Sequence, residues 1–141
     1  MMDAVAISRT ALDVEWQRLQ VIAENLANIN STRAPGGEPF RARHLVSGPQ
    51  SRFERTMVRR TDGDRPRGVE VTGLTTTAGG VRRAYEPGHP HADATGFVTY
   101  PDLDHAAEMA LLIKASRAYE ANLTAMSIAQ QMYSRALGLG K

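Results

Sequence analysis

The chain has 141 residues, of which 42% are hydrophobic and 6% aromatic, enough for one small domain with few rings in its core. It contains no cysteine, which excludes disulfides, thiolate metal ligands and cysteine nucleophiles. The net charge of +2 is unevenly spread, because residues 33–83 hold eleven Arg and five acidic residues. Residues 1–10 lack the basic segment followed by an apolar segment that is typical of a signal peptide. No run of the sequence approaches the roughly 18 consecutive apolar residues that a membrane span needs. We therefore expect neither a cleaved signal peptide nor a membrane anchor.

Residues 3–31 are predicted to form the first helix, since this stretch contains neither Pro nor Gly. Val5, Leu12, Leu19 and Leu26 are spaced seven apart, which is typical of a coiled-coil seam. The opposite face is polar and includes Arg18. At about 1.5 Å per residue this helix would be roughly 40 Å long.

The middle of the chain is predicted to be β-rich, because all seven Pro and ten of the twelve Gly lie between residues 33 and 101. Val69 and Val71 alternate with polar residues, as in a half-buried strand. Gly79 and Gly80 predict a hairpin that joins the strands on either side of them. Residues 61–68 are predicted to be a loop. The predicted strands are 40–46, 52–59, 69–77, 81–85 and 97–100.

Residues 102–137 are predicted to form the second helix, capped by Asp102 or Asp104 and ended by Gly138. Its apolar positions alternate by three and four, a period of about 3.5 that favours a left-handed coiled coil. The predicted seam comprises Met109, Leu112, Ser116, Tyr119, Leu123, Met126, Gln130, Tyr133 and Leu137.

These elements predict an α+β fold in which the N- and C-terminal helices pair as an antiparallel coiled coil, with a small antiparallel β insertion between them. The corresponding regions are residues 1–32, 33–101 and 102–141. Two alternatives stay open for the apolar faces of the helices. They pack within a self-contained domain, or they pack mainly against neighbours in an assembly.

Three motifs in order resemble the bacterial flagellar rod and hook protein family. Asn25–Thr32 follows the family's Asn-x-Ala-Asn-x-x-x-Thr pattern at the end of the first helix. Tyr85–Pro101 is similar to a segment found in the short proximal rod members. Ser116–Leu123 resembles the C-terminal Ser-Arg-x-Tyr-x-x-Asn block.

This resemblance implies a structural subunit of the flagellar proximal rod, not an enzyme. Such subunits polymerise helically into the drive shaft that carries torque from the membrane ring to the hook and encloses the export channel. They are exported unfolded through the type III apparatus, without a cleaved signal peptide, to the basal body in the cell envelope. The implied partners are other rod proteins and copies of itself, with the membrane ring and export apparatus nearby. No cofactor, nucleic acid or small-molecule substrate is implied.

We expect the assembly surface to combine apolar seam residues with short polar residues that set the register. For the three Asn of this set the alternative is local capping or solvation, and for the Tyr at position 119 it is packing within the chain. The expected residues are Leu12, Leu19, Asn25, Leu26, Asn28, Thr32, Tyr119, Asn122, Leu123, Met126, Tyr133 and Leu137.

Other kinds of site find less support in the sequence. His89, His91, Asp93 and His105 suggest a metal site, but Pro90 separates the first two and no further ligand is evident, so we predict none. No catalytic or phosphate-binding motif appears. The Arg-rich middle leaves a basic nucleic-acid-binding coiled-coil module as the alternative function, although few aromatic residues interleave with its Arg.

Overall fold

The computed structural model describes residues 2–33, 37–50, 67–76 and 80–138, which contain two long helices separated by four short strands. Helix α1 is Met2–Ala27 and helix α2 is His105–Gly138. The strands are β1 Arg43–Pro49, β2 Val69–Thr76, β3 Val81–Tyr85 and β4 Phe97–Pro101. Neither described helix combines the length and the apolar character needed to cross a membrane.

The two helices pack against each other in antiparallel orientation. The end of α1 meets the start of α2, where Asn25 Nδ2 lies 3.2 Å from Glu108 Oε2. Further along, the rings of Trp16 and Tyr119 lie with their centroids 6.4 Å apart. Because α2 has 34 residues and α1 has 26, this register carries the end of α2 past the start of α1. The expected α+β fold with an antiparallel helix pair is confirmed.

The face of α2 that packs against α1 has the predicted period and keeps the predicted seam residues Leu112, Ser116, Tyr119 and Met126, but three other positions are shifted. Met109, Leu123 and Gln130, placed in the seam by the sequence pattern, are exposed in the chain. The observed stripe is offset by one residue at these positions, because the small side chain of Ala115 lets α1 approach and Glu108 is drawn inward by its hydrogen bond to Asn25. The buried and half-buried residues of α2 are Glu108, Leu112, Ala115, Ser116, Ala118, Tyr119, Asn122, Met126 and Ala129.

The strands form two separate antiparallel pairs. β1 pairs with β2, with a bulge between Val46 and Ser47, and β3 pairs with β4. The predicted hairpin between β2 and β3 is therefore wrong. The β1–β2 pair packs on α1 and buries Leu45, whereas β3 is held to β4 by side-chain contacts such as Tyr85 on Phe97. The sequence pattern found the strands but not their partners, since alternation alone does not specify pairing.

Most strand positions agree with the sequence pattern. β2, β3 and β4 match their predicted ranges to within one residue at each end. β1 begins three residues later than predicted and ends three residues later. The strand predicted at residues 52–59 lies outside the described residues, as do residues 61–66 of the predicted loop.

Side-chain hydrogen bonds mark the start of α2 and the end of α1. Asp104 Oδ1 accepts from the backbone N–H groups of Ala106 at 2.9 Å and Ala107 at 3.3 Å, so Asp104 is the N-cap of α2. α1 ends at Ala27, four residues before the predicted end, because Asn28 turns the chain and donates its amide to Glu24 O at 2.9 Å.

Between the helices and the first sheet lies an apolar core of Leu12, Val14, Ile22, Ala42, Leu45 and Ala115, with Val98 buried in β4.

Candidate assembly interface

Asn25 joins three parts of the fold at one point. Its side chain is 0% exposed. Its Nδ2 donates to Arg43 O at 2.9 Å and to Glu108 Oε2 at 3.2 Å, and its Oδ1 accepts from Arg43 N at 3.0 Å. The amide therefore pairs with the start of β1 as another strand would, while it also holds the first turn of α2. A buried amide with this many partners fixes register, because any slip would leave polar groups unpaired.

Arg18 holds the middle of β1 against α1. It donates Nη1 to Leu45 O at 3.1 Å and Nη2 to Ser47 Oγ at 2.9 Å, and its Nε pairs with Glu15 at 3.1 Å. These acceptors belong to residues at the bulge in β1, which lies between Val46 and Ser47. The sequence pattern placed Arg18 on the solvent face and missed this role. Its guanidinium reaches back to the strand on a long side chain, which helical spacing does not reveal.

The segment after α1 is tied to the loop between β3 and β4. Thr32 Oγ1 lies 2.8 Å from His91 Nδ1, and the His89 Nδ1 atom accepts a hydrogen bond from the His91 backbone N–H at 3.0 Å. Both Nδ1 atoms are thus occupied by contacts within the chain. Among the described residues, the Asn28 side chain forms hydrogen bonds only with near neighbours in sequence, Glu24 and Ser31, the latter through its Oγ at 3.0 Å. Thr32 links the first family motif to the second.

Asp93 organises the loop that leads into β4. Its Oδ1 accepts from Thr95 Oγ1 at 2.6 Å, Thr95 N at 2.9 Å and Phe97 N at 3.0 Å, and its Oδ2 pairs with Arg83. The Thr95 hydroxyl, followed by the Phe97 N–H, lowers the pKa of Asp93 to about 2. The carboxylate therefore acts as a fixed acceptor that shapes the loop.

Tyr100 anchors the opposite side of the same strand pair. Its hydroxyl donates to the Glu86 carboxylate at 3.0 Å, and the Arg82 guanidinium lies 5.0 Å from its ring centroid. Burial, followed by the hydrogen bond to Glu86, raises the pKa of Tyr100. Arg82 and Arg83 both contact aromatic rings in the chain, and Arg43 pairs with Glu24. These three members of the Arg-rich middle thus have partners within the protein.

Large apolar side chains remain on the outside of the helix pair. Trp16 is 55% exposed although its ring meets Tyr119. Tyr133 and Leu137 continue the inward-facing stripe of α2 at helical spacing, yet Leu137 is 60% exposed because α1 does not reach this far. Other exposed apolar residues of α2 are Met109, Leu111, Ile113, Leu123, Ile128 and Met132.

The residues predicted for assembly fall into two groups in the described chain. Those turned inward, buried or half-buried, are Leu12, Leu19, Asn25, Leu26, Asn28, Thr32, Tyr119, Asn122 and Met126. Those that are exposed are Leu123, Tyr133 and Leu137. Asn122 donates to Ala118 O at 2.9 Å, four residues earlier on the same helix. Contact of either group with a second subunit stays a prediction.

Two polar residues at the core were missed by sequence reasoning. Glu108 is 4% exposed and receives the Asn25 amide. Thr10 Oγ1 accepts from Val69 N at 3.1 Å and donates to Ile7 O at 2.7 Å, which fixes the start of β2 on α1. In the sequence, Glu108 lies four residues before Leu112, a spacing that places both on the same face of the helix, and this could have indicated that Glu108 faces α1.

Comparison with known proteins agrees with this architecture. A family model described as flagellar basal body rod FlgEFG protein C-terminal matches residues 94–139. The flagellar basal-body rod protein FlgC of Escherichia coli O6:H1 is 36% identical over 135 residues, covering 96% of this chain and 94% of the relative. FlgC of Bacillus subtilis is 36% identical over 144 residues, covering 96% and 95%, and FlgC of Borreliella burgdorferi is 28% identical over 147 residues, covering 99% and 97%. The chain therefore belongs to the FlgC family of flagellar basal-body rod proteins.

Proposed function

We propose that this chain is a structural subunit of the flagellar proximal rod that polymerises helically into the drive shaft. In this role it transmits torque toward the hook and encloses the export channel. It assembles with copies of itself and other rod proteins, near the membrane ring and the export apparatus. Its contribution is mechanical and not catalytic.

The exposed apolar surface of α2 carries this proposal. Leu123 is 47% exposed, and Ile128, Met132 and Leu137 are exposed as well. The packing of α2 on α1 leaves these apolar side chains uncovered. Full burial of one such side chain stabilises an interface by roughly 1.5–3 kcal/mol. Association costs about 4–15 kcal/mol in lost freedom, so several of these side chains must be buried together in one assembly. Contacts to neighbours on more than one side of α2 meet that requirement.

A charge placed on this surface tests the proposal. Leu123→Asp is introduced into a strain that lacks the native chain, and swimming and isolated basal bodies are examined. We expect loss of both, because an unpaired carboxylate buried in a subunit contact is costly. Thr124→Asp is the matched control, since it adds the same charge at the next exposed residue, where no apolar side chain is removed. Normal basal bodies with Leu123→Asp would contradict the proposed role of this surface.

Export belongs to the same proposal. We infer that the chain crosses the inner membrane unfolded through the flagellar type III apparatus and keeps its N-terminus. The test is the mass of the chain recovered from basal bodies, compared with the mass encoded by its gene. A shortened N-terminus, or normal recovery from the envelope of a strain without a working export apparatus, would contradict this route.

A further inference from the structure

A cavity of about 230 Å³ lies where α2 begins, between the segment that enters β1 and the first two turns of α2. It is far from the free end of α2, since 34 helical residues span about 50 Å. Its walls are partly apolar, formed by Phe40, Leu103 and Leu111 among others. The charged and titratable residues that line it are Arg41, His44, Asp102, Asp104 and Glu108.

The charges of this cavity favour a cationic occupant. Three carboxylates line the cavity together with one guanidinium and one imidazole. Glu108 is nearly buried, and within the described part of the chain its carboxylate receives one side-chain hydrogen bond, from Asn25. A carboxylate withdrawn from water is better stabilised by a cation or by more donors than by one amide. The site is therefore apolar at its walls and acidic overall.

The other end of α2 shows the complementary chemistry. Ile128, Met132 and Arg135 recur at i, i+4 and i+7, which places them on one face of the helix, and all three are exposed. This face points away from the stripe that packs on α1. No acidic residue follows Glu120 in the sequence, whereas Arg135 and Lys141 are basic. The end of the helix is thus apolar and basic.

We propose that the cavity at the start of α2 receives the carboxyl-terminal end of a helix from a neighbouring rod subunit, with apolar side chains one turn apart followed by an Arg. The apolar side chains enter between Phe40, Leu103 and Leu111, and the guanidinium pairs with Glu108 and Asp102. This inference rests on the proposed rod function. A contact between opposite ends of two subunits is heterologous, because it joins two different surfaces. It leaves the cavity of one subunit and the helix end of the other free for further subunits, as growth of an open-ended shaft requires.

A peptide of residues 124–141 of this chain provides the probe for the full-length protein, with binding followed by the anisotropy of a fluorophore on the peptide. We expect saturable binding that weakens about tenfold in Glu108→Gln and in Asp102→Asn, as when one member of a charged hydrogen-bonded pair is removed. Glu120→Gln is the matched control, because it removes the same charge from α2 outside the cavity, and it should bind as the parent does. The peptide variant Arg135→Gln should bind about tenfold more weakly to the parent and lose little more with Glu108→Gln, since the two changes remove the same pair.

The outcomes separate the contact from the function. Absence of peptide binding, or equal binding by Asp102→Asn, Glu120→Gln and the parent, would overturn the proposed contact. Additive losses from Glu108→Gln and the peptide's Arg135→Gln would show that these groups do not meet, which would also overturn it. In either case, swimming and basal bodies restored by the parent chain would leave the rod function standing.

Discussion

Replacement of Asn25 by Ala removes the buried amide that joins α1, β1 and α2. The truncation leaves Arg43 N, Arg43 O and the Glu108 carboxylate without the three hydrogen bonds they make at 2.9–3.2 Å. Arg43 is half-buried, so water can replace part of what its backbone loses. Glu108 is 4% exposed, and its carboxylate loses a donor that water does not readily replace.

The expected cost follows from these three losses. Leaving the Glu108 carboxylate without its donor costs about 1.5–3 kcal/mol, and the two half-buried backbone groups cost about 0.5–1 kcal/mol each. The free energy of unfolding should therefore fall by about 2.5–5 kcal/mol. That is a large part of the 5–15 kcal/mol available to a typical domain.

Urea unfolding of the full-length chain, followed by far-ultraviolet circular dichroism, measures this loss. Asn28→Ala is the matched control, because it removes an amide of the same motif whose hydrogen bonds in the described structure go to Glu24 and Ser31, close in sequence. We expect it to cost about 1 kcal/mol or less. If Asn25→Ala were no more destabilising than Asn28→Ala, the junction would not depend on the buried amide, and our account of the motif would be refuted.

Three further results are expected. Gly68→Ala should destabilise the chain by about 2–4 kcal/mol in the same assay, because Gly68 has φ of +108° and a Cβ there would lie 2.1 Å from Thr10 Oγ1; an unchanged midpoint would contradict this. The Asp93 carboxyl carbon should titrate by NMR with a midpoint of about 2. Because this pKa is lowered from 3.8, the carboxylate stabilises the loop fully above pH 3.8, and this stabilisation is lost as the pH falls toward 2. A midpoint near 3.8 would refute the hydrogen-bond assignment. Deletion of Tyr133–Lys141 should abolish basal bodies. It should change the free energy of unfolding by less than about 0.5 kcal/mol, because the residues described there are exposed. Normal rods, or a marked loss of stability, would count against this reasoning.

The helices were predictable because their signals are local. Absence of Pro and Gly marked both, and Asp104 was one of the two caps expected for α2. The period of the α2 stripe was also predictable, but its register was predicted only in part, since Glu108, Asn122 and Ala129 face inward in place of Met109, Leu123 and Gln130. The register depends on which face of α2 allows the closest approach of α1. That face is determined by the small side chain of Ala115 and by the hydrogen bond between Asn25 and Glu108 across the interface.

The features that sequence reasoning missed are long-range contacts. Strand partners depend on where each strand packs, and β2 lies with β1 on α1 instead of turning back to β3. Arg18 reads as a surface residue until the bulge in β1 presents Leu45 O and Ser47 Oγ to it. The motif around Asn25 was found through family resemblance, which identified the residue but not the strand and carboxylate that it binds.

The hydrogen bond between Asn25 and Glu108 also has a kinetic meaning, because it joins residues 83 positions apart. Turns of α1 and α2 form from neighbouring residues, whereas pairing of the two helices must close a loop that contains every strand. Closure of such a loop is entropically costly until the contacts that reward it are made. On the proposed export route, the chain leaves a narrow channel end first and cannot make this contact until both helices have emerged. We therefore expect the helix pair to be completed last, at the growing end of the rod, where neighbouring subunits are already in place.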